Sequence, residues 1–234
     1  MKSRILSLSS LSLVCLLLTA LPTQAAFTIE PAIITFLADR GEKTTFVEIV
    51  HTGGNPAAIQ LSVLERLLDI EGEFAKGEMP TSTDFLVHPA QVILYPKERA
   101  TVQIQYKGKG RITADKAYSL YSREVPIDVE RDDAGVSMSV KMLTSYYTVI
   151  SIETGKPGKL VFVSSKAIGS GKIEVLVENK GAGRVNKERL KLVVDGKSIM
   201  DFTGKGNSIM PGQTRRFTFE WPRAVTEKEV KFVY

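Results

Sequence analysis

Cysteine is almost absent from this chain. The single one, Cys15, sits inside an apolar run close to the start. A chain cleaved after that run has no thiol, so no disulfide staples it and its stability comes from its core. Histidine is nearly as scarce. His51 and His88 are too few for a zinc cluster, and no metal is expected. A lone histidine beside a Gly-rich loop, or one followed by proline, is more often structural than catalytic. After the first apolar run no segment is long and apolar enough to cross a membrane. No sustained 3.6-residue period is present, so helices are not expected. Net charge is +5, but Lys and Arg are interleaved with Asp and Glu. No dense basic block offers the footprint of a nucleic-acid binder.

What is present begins with an export signal. Lys2 and Arg4 form a basic n-region, residues 11–18 an apolar h-region, and Thr23-Gln24-Ala25 a small-residue cleavage site. We read residues 1–25 as a signal peptide cleaved after Ala25. Val14 before Cys15 does not fit a lipoprotein cleavage site. The expected compartment is the periplasm. The remaining 26–234 accommodate two units, 26–153 and 154–234, joined at the Gly/Pro-containing SIETGKPGK.

Both units read as strands separated by turn signals. In the first, 27–36 is β-rich but contains Pro31, which demotes it to an edge or bulged strand. Strands follow over 44–50, 58–67, 85–94, 101–106 and 117–125, and 69–84 reads as a long polar loop. In the second unit the strands fall at 160–164, 172–179, 190–194, 197–202, 215–221 and 230–234. Asp195-Gly196 between two alternating runs is a hairpin signal. Many short strands at regular spacing define the fold class: all-β, two immunoglobulin-like β-sandwiches.

The segment 135–150, GVSMSVKMLTSYYTVI, is a long alternating strand with Met138, Val140, Met142, Thr144 and Tyr146 on one face. An ordinary core-facing strand shows the same alternation. Unbranched, adaptable Met also suits a strand lent to another protein's sheet. Lys141 alternates with these residues and faces the other way.

Catalytic chemistry has no visible carrier. There is no G-x-S-x-G elbow and no phosphate loop. Gly108-Lys109-Gly110, Gly181-Ala182-Gly183 and Gly204-Lys205-Gly206 lack the following helix N-terminus that a nucleotide cradle needs. No enzyme activity and no cofactor is expected.

Several motifs together resemble one family. Tyr118-Ser119-Leu120-Tyr121-Ser122-Arg123-Glu124-Val125-Pro126, followed by a short connection and a long alternating strand, is similar to the periplasmic pilus (fimbrial) chaperones, nearest their archaic or alternative branch. The opening Phe27-Thr28-Ile29-Glu30-Pro31, the turn at Leu94-Tyr95-Pro96-Lys97-Glu98, the strand end at Asn179 and the later Pro211-Gly212 turn occur in matching order.

The resemblance implies donor-strand complementation. The chaperone lends a strand to an unfinished pilus-like subunit and passes the subunit to an outer-membrane usher. Met138, Val140, Met142, Thr144 and Tyr146 would then enter the subunit's groove. The family's basic carboxylate-anchor positions fall here at Ile33, which cannot bind a carboxylate, and at Gln103, which carries no charge. Lys156 and Lys159 are the candidate substitutes, and Arg123 is a candidate interdomain or ligand-binding residue. Self-association through the exposed donor edge is a further expectation. The alternative is a two-domain immunoglobulin-like binding or surface protein without chaperone activity.

Overall fold

The computed structural model describes residues 27–74, 79–126, 143–169, 171–199, 206 and 208–234. Among the described residues the structure is all-β apart from three short 3-10 turns. The N-terminal strands are β1 (Phe27–Glu30), β2 (Ile33–Leu37), β3 (Thr44–His51), β4 (Ala57–Glu65), β5 (Phe85–His88), β6 (Gln91–Leu94), β7 (Arg99–Tyr106), β8 (Lys116–Val125) and β9 (Ser145–Glu153). They form a four-stranded sheet, β1-β3-β7-β5, facing a five-stranded sheet, β2-β9-β8-β4-β6. Inward-facing residues of both sheets make one core, which includes Phe27, Phe36, Ile49, Leu120 and Ile150.

Two prolines shape this sandwich. Each of the runs 27–36 and 85–94, read as one strand from the sequence, is two. β1 pairs antiparallel with β3, whereas β2, beyond Pro31, pairs parallel with β9 in the opposite sheet. β5 pairs with β7, and β6, beyond Pro89, crosses to β4. Proline has no N–H to give a ladder, so pairing stops there and the chain is free to change sheets. Pro31 is therefore a sheet-switching point rather than a bulge within one edge strand.

The C-terminal strands are β10 (Leu160–Ala167), β11 (Lys172–Asn179), β12 (Val185–Asn186), β13 (Lys191–Val194), β14 (Lys197–Ile199), β15 (Ser208–Ile209), β16 (Thr214–Glu220) and β17 (Val230–Val233). They assemble as β10-β11-β16, β14-β13-β17 and the short pair β12-β15. A second, separate core contains Ile173, Val175, Val177, Leu192, Ile209 and Phe217. The expected hairpin is present: β13 and β14 pair up to Val194↔Lys197. Asp195 and Gly196 both take positive φ, 48° and 77°, as the tight primed turn requires.

Candidate functional site

β9 has two different edges. On one side it pairs with β8 along Ser145–Ile152. On the other side its pairing with β2 begins only at Val149, opposite Ile33. Among the described residues, Ser145–Thr148 therefore have no strand on that side. The cause is local: the chain before Pro31 has left for the opposite sheet, so β2 starts too late to cover the whole of β9. An uncovered run of backbone N–H and C=O is a template for pairing with another chain.

The even residues of β9 face inward. Ile150 and Ile152 are fully buried, Thr148 is buried, and Tyr146 packs edge-on against Phe27 with ring centroids 5.0 Å apart. Tyr147 faces outward and is exposed. Thr144 is half-buried, and its carbonyl accepts the Glu124 N–H at 2.9 Å. Met138, Val140 and Met142 lie outside the described residues.

The remaining predicted residues do not converge. Arg123 is exposed and donates from Nε and Nη2 to the Gln60 Oε1 of the adjacent strand, at 2.9 and 2.7 Å. Its hydrogen bonds thus stay within the N-terminal sandwich. Lys156 Nζ donates to the Thr113 carbonyl at 2.9 Å. Lys159 is exposed, while its backbone N–H donates to Asn179 Oδ1. Ile33 lies exposed on the β2 edge, and Gln103 sits between Phe46 and His88 in the four-stranded sheet.

The junction between the sandwiches is held by residues the sequence did not advertise. Asp115 is buried. Its Oδ1 accepts the backbone N–H and hydroxyl of Thr154, both at 2.7 Å, and its Oδ2 accepts the Arg184 N–H at 2.9 Å. Arg184 reaches back to Glu153 at 2.8 Å. Farther along, Arg215 Nη1 donates to the Asp69 carbonyl at 2.7 Å and the Arg216 N–H to the Ile70 carbonyl at 2.8 Å. Burial lowers the Arg215 pKa, opposed by the neighbouring Asp69 and reinforced by Arg66. The start of the 69–84 loop is thus a strut for β16. Tyr118, buried and donating to Asp84 Oδ2 at 2.7 Å, has its pKa raised by that burial first and by Asp84 second.

Asn179 organises the C-terminal side of this junction. It is fully buried. Its Oδ1 accepts the N–H groups of Lys159 and Gly181, and its Nδ2 donates to the carbonyls of Gly183 and Ile209, all at 2.8–2.9 Å. The run Gly181-Ala182-Gly183 has its explanation here. A Cβ at Gly181 would collide with the Lys159 backbone N, and one at Gly183 with the Lys156 carbonyl oxygen. Glycine spacing was the available signal, pointing to close backbone approach rather than to phosphate. Among the described residues, no group of three or more His, Cys, Asp or Glu is placed to hold a metal ion.

No family model matches this chain, and no curated protein does. Solved structures do. A chain of the chaperone–tip adhesin complex of CFA/I fimbriae biogenesis matches with a TM-score of 0.58 at 12% identity, over 89% of this chain and 98% of that one. The class 5 fimbriae chaperone CfaA matches with a TM-score of 0.57 at 12% identity, over 88% and 97%. A chain of the CsuC–CsuE chaperone–tip adhesion subunit complex of archaic Csu pili, from Acinetobacter baumannii, matches with a TM-score of 0.53 at 14% identity, over 82% and 90%. The chain has the two-sandwich fold of the fimbrial chaperones.

Proposed function

We propose that this protein is a periplasmic chaperone that caps pilus-like subunits by donor-strand complementation and delivers them to an outer-membrane usher. The observation that carries the reading is the uncovered β9 edge at Ser145–Thr148. In sequence it continues directly from the alternating Met138, Val140 and Met142. Backbone hydrogen bonds at such an edge supply register, and side chains two residues apart fill successive pockets. The shared fold supports the same reading. The activity is binding, without a catalytic step. Lys156 and Lys159, beside the junction, are the proposed anchors for a subunit carboxylate. Because Lys156 already donates to Thr113, Lys159 is the freer of the two.

One observation favours a second reading, an immunoglobulin-like binding protein without chaperone activity. Tyr146 packs on Phe27 in the protein's own core, and Met138, Val140 and Met142 share its parity. The double variant Val140→Asp, Met142→Asp separates the two. In a chaperone it folds but no longer forms an equimolar complex with co-expressed pilin subunits, because a carboxylate would enter an apolar groove unpaired. If the variant unfolds instead, the face is core and the second reading holds. Sedimentation of the free chain checks whether the open edge self-associates.

A further inference from the structure

The outer face of the five-stranded sheet carries a rail of rings bracketed by two arginines. Tyr121 and Tyr147, Cα partners on β8 and β9, are stacked with centroids 4.9 Å apart. Phe74 lies 5.5 Å beyond Tyr147, and the Arg66 guanidinium sits 4.9 Å over the Phe74 ring. At the other end Arg123 is held by Gln60. An open groove of about 530 Å³ runs along Tyr121, Tyr147 and Arg123. Phe74 and Tyr147 remain 41% and 45% exposed, so adjoining ring surface is open to solvent.

Charge separates this face from its surroundings. Residues 26–153 carry 13 Lys and Arg against 18 Asp and Glu, yet both ends of the rail are cationic. Among the described residues neither guanidinium meets a carboxylate. Arg66 donates to the Ser119 hydroxyl at 3.3 Å and Arg123 to the Gln60 amide. Burial lowers the Arg66 pKa, and a carboxylate arriving there would offset that. Gln60 on β4 and Arg66, the residue just past its end, are six residues apart, roughly 20 Å at the rise of a strand. This is the span of an extended peptide of about seven residues.

We propose that this face binds an extended segment of a partner protein, acidic at both ends and apolar between. Its carboxylates would pair with Arg66 and Arg123 and its apolar side chains would lie across Tyr147 and Tyr121. An anionic membrane is a poor fit, because surface attraction needs a cluster of basic residues and this unit is net acidic. The inference is independent of the donor-strand reading, since it uses the sheet's face and not the edge of β9.

The test uses the full chain and two fluorescein-labelled heptapeptides, Asp-Leu-Thr-Phe-Ser-Val-Asp and the same peptide with Lys at both ends. Fluorescence anisotropy is expected to show the acidic-ended peptide binding at least about tenfold more tightly. Arg123→Glu, at an exposed position, should reverse that order, and Tyr147→Ala should weaken both peptides. Val140→Asp, Met142→Asp should leave binding unchanged. No saturation at millimolar peptide, equal affinity for the two peptides, or indifference to Arg123→Glu overturns the proposal. Loss in the double Asp variant, once circular dichroism shows that variant folded, does so too, since it moves the peptide to the donor strand. So does Arg123-dependent sedimentation with phosphatidylglycerol vesicles, or Arg123-dependent dimerisation, in place of peptide binding.

Discussion

The two sandwiches are held together by different physics. The N-terminal one is organised by large apolar side chains. Phe85 alone touches the rings of Phe36, Tyr106 and Tyr118 at 6.0, 5.3 and 4.9 Å, and its strands run up to ten residues. The C-terminal one has shorter strands, two of them of two residues, and leans on polar groups. Asn179 replaces four backbone partnerships, Ser165 Oγ both donates to the Val225 carbonyl and accepts its N–H, and Thr226 and Glu229 close a capping box. Their charges differ as well: residues 154–234 carry 16 Lys and Arg against 8 Asp and Glu, the reverse of the N-terminal balance. A small domain buries too little apolar surface to define one geometry by packing alone, and directional hydrogen bonds supply the remainder.

That contrast can be broken from either side. Phe85→Ala should cost about 4 kcal/mol, because it empties a ring-lined site, and should lower the melting temperature of the N-terminal transition. Asn179→Ala should cost about 3 kcal/mol by orphaning two part-buried N–H groups and two buried carbonyls. Its loss should appear in the C-terminal transition, with N-terminal tyrosine fluorescence retained. If both variants melt the whole chain in one step, the two cores are not separate folding units. Asp115→Ala, about 2 kcal/mol, should leave both cores intact and loosen their mutual orientation, read as a broader small-angle scattering profile.

The smallest effect concerns pH. The Arg223 guanidinium first, and the Thr226 N–H and hydroxyl next, lower the Glu229 carboxyl from 4.5 to about 2. A carboxyl lowered on folding contributes stability above its unfolded value and loses it as pH falls from about 4.5 to about 2. The pair lies at the surface, with Arg223 exposed and Glu229 only half-buried, so solvent screening keeps the effect on stability slight. The check is a carboxyl NMR titration in which Arg223→Ala returns Glu229 toward its ordinary range.

Much of this division was legible in the sequence. Alternation marks most strands, and Asp195-Gly196 marks its hairpin, because period and turn chemistry are local properties. The sheet switches at Pro31 and Pro89 were not legible. Proline announces that pairing stops, but not where the chain goes next. Asp115 and Asn179 were hidden for a related reason: their roles depend on which distant backbone groups arrive beside them. The open edge of β9 belongs to the same class. It exists because β2 starts at Ile33, a matter of register rather than of composition. Arg123 stood out in a recognisable motif, yet its guanidinium is turned onto Gln60 in its own sheet.

The most direct test of the chaperone account is amide hydrogen exchange on the free chain and on its complex with a co-expressed pilin subunit. The account predicts that, of residues 136–147, the amides not bonded to β8 exchange readily in the free chain and are slowed about a hundredfold in the complex, whereas those that β9 directs at β8 are slow in both. Amides of the first group already slow in the free chain, or unchanged by the subunit, would contradict strand donation.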